Sequence, residues 1–139
     1  MIEASCIFCR IVKGELPSEK IYEDKNFIAI MDIMPANKGH VLIISKEHYE
    51  TITDIPEKLL REMIAVVQKI AKAVVKGLDA EGLNILQYNK LVSGQTIPHV
   101  HFHIIPRFKD DGLRINWPQG RYEGNELRKY ADRIKVALK

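Results

Sequence analysis

The chain has only two cysteines and one tryptophan in 139 residues, and aromatic residues make up 7%. Two cysteines cannot build the disulfide-dense scaffold of a small secreted protein, and a chain of this length needs no such staple to bury a core. Long hydrophobic runs are missing as well. Stretches such as Val41-Leu42-Ile43-Ile44 are strand-sized and far short of a membrane span. No charge sign is in large excess: 21 Lys and Arg face 18 Asp and Glu, a net charge of +3 with a pI near 8.8. These charges are interspersed rather than gathered in a basic stripe, which argues against a nucleic-acid binder. The opening Met1-Ile2-Glu3-Ala4-Ser5-Cys6 has an early acid and no apolar stretch of the secretory type, so a cytoplasmic protein without membrane attachment is expected. Hydrophobic residues at 46% and charged residues at 28% match an ordinary soluble protein, and the length predicts a single domain over residues 1–139.

Lys20–Tyr22 and Phe27–Asp32 read as strands around a turn, and His40–Ser45 as a strand buried on both faces. Asp54 is placed to cap a helix beginning near Pro56 and Glu57, with Gly77 as its stop. Leu60, Met63, Ile64, Val67, Ile70, Ala71 and Val74 recur at three- and four-residue spacing and predict one face packed on a sheet. Leu83–Tyr88 and Pro98–Pro106 read as further strands, and Glu126–Leu138 as a short amphipathic helix. Arg107–Glu123 is expected to be irregular and to cross the surface, with Trp117-Pro118 apolar enough to be docked. Strands grouped around one long helix predict an α+β fold with a five-stranded, mainly antiparallel sheet.

Three of the five histidines fall within five residues: His99, His101 and His103 alternate with Val100 and Phe102. On a strand this alternation lines the imidazoles along one face, with Val100, Phe102 and Ile104 on the other. Same-face neighbours lie about 7 Å apart on a straight strand, so the three cannot readily share one metal. A neutral imidazole is a competent nucleophile toward phosphorus. The preceding Ser93-Gly94-Gln95-Thr96 offers a permissive backbone and two polar side chains suited to phosphate oxygens.

Gly94-Gln95-Thr96-Ile97-Pro98-His99-Val100-His101-Phe102-His103-Ile104-Ile105-Pro106-Arg107 resembles the signature of the histidine-triad (HIT) family. Asp32-Ile33-Met34-Pro35 with Gly39-His40-Val41-Leu42-Ile43-Ile44-Ser45-Lys46-Glu47-His48 is similar to a second block of that family. The opening Cys6-Ile7-Phe8-Cys9-Arg10-Ile11 is similar to the start of its Hint-like prokaryotic branch. The resemblance implies a nucleotide hydrolase or transferase acting at an α-phosphate, with His101 attacking phosphorus to form a nucleotidyl-histidine. It implies that His103 and His40 flank the phosphate, that Gln95 and Thr96 complete its cradle, and that Asp32 receives the ribose hydroxyls. Ile7, Phe8, Ile11, Ile30 and Ile33 match the positions that sandwich the base, and Asn89 the position that reaches ribose or phosphate. Purine nucleoside phosphoramidates are the implied substrates; dinucleoside polyphosphates, or a binding adaptor with little turnover, are the alternatives. A homodimer that continues the sheet is implied too. One departure is visible: where relatives often carry an Asn-Asn-Gly or Asn-x-Gly turn, this chain has Gln87-Tyr88-Asn89-Lys90, with a bulky Tyr88 and no glycine.

Cys6 and Cys9 form a Cys-x2-Cys pair, which is open to three readings: half of a zinc site, two reduced thiols, or a redox pair. The family roles occupy His40, His101 and His103, so the resemblance implies a structural zinc on Cys6, Cys9, His48 and His99. It implies no metal in the chemical step.

Overall fold

A computed structural model of the chain describes residues 3–139; Met1 and Ile2, part of the opening read above for a leader, lie outside them. The order is α1 (Ile7–Val12), β1 (Lys20–Glu23), β2 (Phe27–Met31), β3 (Val41–Ser45), α2 (Glu57–Leu78), β4 (Gly82–Leu86), β5 (His101–Arg107) and α3 (Glu126–Ala137). The strands form one antiparallel sheet in the order β1-β2-β3-β5-β4, the α+β arrangement expected. The six-residue α1 was not foreseen. Its periodicity is too brief to read, and its cap is unusual: Cys6 Sγ accepts the backbone N–H of Cys9.

Strand alternation sorts the sheet into two faces. Phe27, Ala29, Val41, Ile43, Phe102 and Ile104 point one way, into a core closed by Met63, Val67, Ile70 and Val74 of α2. Ile28, Ile30, Leu42 and Ile44 point the other way and pack with Phe8, Cys6 and Cys9. β3 is therefore covered on both sides, as its unbroken Val-Leu-Ile-Ile run predicts. Each such side chain contributes about 1.5–3 kcal/mol by leaving water. The histidine face of β5 belongs to the second, thinner layer, where the short α1 leaves part of the sheet open.

Several local expectations are corrected. Asp54 does not cap α2; its Oδ2 accepts from the backbone N–H and the hydroxyl of Thr51, and Pro56 stands at the helix N-cap. Gly77 lies inside α2, which runs one residue further and closes on Asp79 in the left-handed region (φ 52°). Asp tolerates that conformation better than most side chains, so it can take the role expected of glycine. Ile64 is half exposed while Val66 takes the core position. β5 begins at His101 rather than Pro98 and continues through Pro106 to Arg107. Trp117 is 76% exposed, not docked.

Gly39 is required where it stands. It has φ +97°, and a Cβ there would lie 2.4 Å from Leu78 Cδ1 and 3.1 Å from Pro106 Cγ. The turn it closes delivers His40 to the start of β3.

Candidate active site

His101 is buried on β5 beneath α1, with the Phe8 ring edge-on to it at 4.9 Å between centroids. Its Nδ1–H donates to the backbone carbonyl of His99 at 2.6 Å. A carbonyl can only accept, so the neutral ring carries its proton on Nδ1 and leaves the Nε2 lone pair free. Burial is the main force holding His101 below its ordinary pKa and favouring that neutral form.

His103, the next residue on that face, lies 4.9 Å from the His101 ring. Its Nδ1 is 2.9 Å from Nε2 of His40. The backbone N–H of Ala36 donates to His40 Nδ1 at 3.1 Å, so the proton of neutral His40 sits on Nε2 and is donated to His103 Nδ1. His103 must then carry its own proton on Nε2, as a donor. Burial first, then the neighbouring His101 and His40, push His103 down to about 4; burial also lowers His40, against the pull of Asp32. His40 Nδ1 and Asp32 Oδ2 are 3.7 Å apart, but with His40 neutral and Nδ1 accepting, the contact is not an ion pair.

A cavity of about 330 Å³ opens beside this row. All five residues expected to hold a base line it: Ile7, Phe8 and Ile11 from α1, Ile30 from β2, and Ile33 beyond it. Asp32, Thr96, His101 and His103 line it as well. Asp32 spends Oδ1 on the N–H of Met34, and its Oδ2 makes no hydrogen bond to that turn. Pro17, Ser18 and Ile97 also line it and were not singled out from sequence. Lone small or apolar residues ahead of a strand carry no pattern to find them by.

Three expected residues are not at the cavity wall. His40 meets the row only through His103. Gln95 is buried, but Oε1 accepts from the Lys90 N–H and Nε2 donates to the Glu50 carbonyl, each at 2.7 Å. Asn89 Oδ1 accepts from the Ile52 N–H at 2.7 Å and its amide pairs with Gln87. The side chains of Gln95 and Asn89 thus brace the loop ahead of β5 rather than face a ligand.

That loop is under strain. Lys90 sits at φ 74°, ψ 156°, a region essentially reserved for glycine, held by Gln95 and by a Lys90–Glu50 contact at 2.9 Å. Lys90→Gly should therefore raise Tm by about 2–5 °C, because an exposed ion pair is a weak exchange for relieved backbone strain. A drop in Tm in a thermal melt would show that the Lys90 side chain outweighs the strain.

A second cluster lies on the other side of Phe8. Cys6 Sγ and Cys9 Sγ are 3.3 and 3.6 Å from His99 Nδ1, Cys9 Sγ is 3.3 Å from His48 Nδ1, and the two histidine nitrogens are 3.1 Å apart. All four ligand atoms lie within 4.8 Å of one another. Tetrahedral zinc with Zn–S of about 2.3 Å and Zn–N of about 2.0 Å sets ligand–ligand edges of roughly 3.3–3.8 Å. The cluster fits that figure with small adjustments. His99 Nε2–H donates to the Ser45 carbonyl at 2.7 Å, leaving the Nδ1 lone pair turned toward the thiols. Both cysteines are free thiols. Ser45 was not anticipated, although a polar residue ending a fully apolar strand is a readable signal of a buried partner.

Imidazoles in a row on a central antiparallel strand, closing an apolar cavity, are the defining arrangement of histidine-triad proteins. The chain belongs to the HIT family: the family model of the HIT domain matches residues 13–110. It is 39% identical over 141 aligned positions to adenosine 5′-monophosphoramidase HNT1 of Candida albicans, covering 97% of this chain and 92% of that protein. Its fold matches the crystal structure of SMU.412c from Streptococcus mutans with a TM-score of 0.93 at 37% identity, covering 99% of this chain and 87% of that one. It also matches a Zn-bound histidine triad family protein from Mycobacterium smegmatis, with a TM-score of 0.76 at 40% identity, covering 96% and 97%. Among the described residues no helix is long and apolar enough to cross a membrane.

Proposed function

We propose that this HIT protein is a nucleotide hydrolase acting at the α-phosphate, and that its substrates are purine nucleoside phosphoramidates. The observation that carries the reading is the free Nε2 of His101 at the wall of an apolar cavity that also presents the Asp32 carboxylate. The base lies among Ile7, Phe8, Ile11, Ile30 and Ile33, and the ribose hydroxyls donate to Asp32. His101 Nε2 attacks phosphorus, the P–N bond breaks, and the departing amine takes a proton from solvent water, which the later hydrolysis step returns. His103 Nε2–H donates to the phosphate or the leaving nitrogen, and Thr96 adds a hydroxyl donor. His40 is a positioning residue, holding the His103 tautomer from behind. Water then attacks the nucleotidyl-histidine and releases the monophosphate. The phosphoramidase name of the Candida albicans relative supports this choice of substrate.

Comparing kcat/KM for adenosine 5′-phosphoramidate with that for a diadenosine polyphosphate tests the proposal. A preference of at least about 100-fold for the phosphoramidate is expected. The opposite preference would make the protein a dinucleoside polyphosphate hydrolase, and tight binding without turnover would make it an adaptor. Because burial keeps His40 and His103 neutral, with His103 down at about 4, kcat/KM should stay flat below the ordinary histidine pKa of about 6.5. Its fall should come only as pH approaches the depressed values. An acid limb centred at 6.5 or higher would contradict neutral, buried imidazoles.

Asp32→Asn keeps the Oδ1 acceptor for Met34 but loses the charge offered to the ribose. KM for ribonucleotide substrates should rise by a factor equivalent to about 1–3 kcal/mol, with a much smaller change for a substrate lacking both sugar hydroxyls. Equal losses on the two substrates would place the role of Asp32 elsewhere.

Zinc is the proposed structural cofactor. When bound it would cross-link α1 to the turns before α2 and β5 through Cys6, Cys9, His48 and His99, and four protein ligands leave no position for catalytic water. A homodimer is proposed as well. The apolar side of α3, with Leu127, Tyr130 and Ile134, is at least half exposed, and the β4 edge is unpaired among the described residues.

A further inference from the structure

We infer that Tyr88 is a specificity-determining residue that forms the leaving-group wall of the site and favours planar, aromatic leaving groups; this rests on the hydrolase reading above. The register of the sheet carries the argument. His103 is flanked by Leu42 on β3 and by Leu86 on β4. The cavity lies wholly on the β3 side, where Leu42, Ile30 and Asp32 line it, and Tyr88 is not among its walls. Tyr88 stands two residues beyond Leu86, on the β4 side, and its ring lies 5.5 Å from that of His103 at an angle of 52°. Gly94 lies near it as well: a Cβ placed there would lie 3.7 Å from the tyrosine ring, so the ring faces the loop at that residue. The ring is half-buried, held between the triad and the loop.

A substrate with its base in the cavity and its phosphorus at His101 can carry its remaining substituent opposite the attacking nitrogen, on the side away from the base. That direction leads past the Nε2–H of His103 and onto Tyr88. An unsubstituted amine is too small to reach the ring. An alkyl group would gain contact area alone, whereas an aryl group gains area and ring-on-ring geometry. The wall therefore adds to the binding of one substrate class without altering the bond that breaks.

The test is the ratio of kcat/KM for an adenosine phosphoramidate bearing an aromatic amine to that for the unsubstituted phosphoramidate. Tyr88→Ala should lower this ratio by about five- to tenfold, the size expected for one aromatic pair. Tyr88→Phe should hold the ratio within about twofold. Tyr88→Leu, which keeps apolar bulk above Gly94, should lower it by at least about twofold, less than alanine does, and guards against a collapsed loop. A tyrosine that merely propped His103 would lower both rates together and leave the ratio unmoved. An unmoved ratio in the alanine and leucine variants overturns the inference while the hydrolase reading stands. A wild-type protein that turns over neither compound overturns the hydrolase reading, and this inference with it.

Discussion

Replacing His101 with alanine should lower kcat by at least about three orders of magnitude while nucleotide binding persists, since the variant removes the proposed covalent route and leaves the apolar base walls Ile7, Phe8, Ile11, Ile30 and Ile33 in place. The expectation comes from geometry as much as from position. Of the three imidazoles of the motif, His99 lies ahead of β5 and turns its Nδ1 toward the thiols, and His103 has its Nδ1 occupied by His40. Only His101 combines a fixed tautomer, an unengaged Nε2 and a place on the cavity wall. Trapping and mass analysis should find the nucleotidyl group on His101 and none in the alanine variant. Turnover above a tenth of the wild-type rate in that variant, with an unchanged thermal melt, would remove His101 from the role.

Loss of the proposed zinc should produce the second large effect, and chiefly on stability. The four ligand atoms converge in the folded chain, so binding of the proposed zinc and folding would be one equilibrium. Chelation or Cys9→Ser should lower Tm by roughly 10 °C or more, with a smaller loss of activity at moderate temperature. Without metal, the cluster keeps two buried thiols and two imidazoles in one small space. Burial raises the Cys9 thiol above its ordinary pKa, so an unmetallated cysteine stays protonated and adds little cohesion. Protein purified without added zinc or chelator should carry about one zinc per chain by elemental analysis. A stoichiometry near zero, with melting indifferent to both zinc and chelator, would reduce Cys6 and Cys9 to ordinary buried thiols.

The α+β architecture was legible because its signals are local and repeated. The Val41–Ile44 run, the three- and four-residue spacing along α2 and the alternation across His99–His103 each report an element without reference to its neighbours. Element ends were less legible. Asp54 and Gly77 are plausible cap and stop, yet Thr51 competes for the first, and Asp79 accepts the left-handed conformation expected of the second. Trp117 is apolar enough to be docked, yet it is 76% exposed.

The candidate site divides along the same line. Sequence alone determines that imidazoles share a strand face, because alternation at a period of two is a property of any extended chain. It also determines which residue types stand at each place where the chain resembles the HIT signatures. Tertiary structure decides what each polar group is used for, since a donor or acceptor is committed by whatever long-range partner folds against it. Gln95 and Asn89 match a phosphate and ribose cradle in sequence, yet Glu50 and Ile52, more than thirty residues away, claim their amides. The Ser45 carbonyl, fifty-four residues before His99, turns one imidazole toward the cysteines, while the His99 carbonyl frees the nitrogen of His101. Proton positions on a neutral imidazole follow from such contacts, and no residue pattern along one strand can supply them.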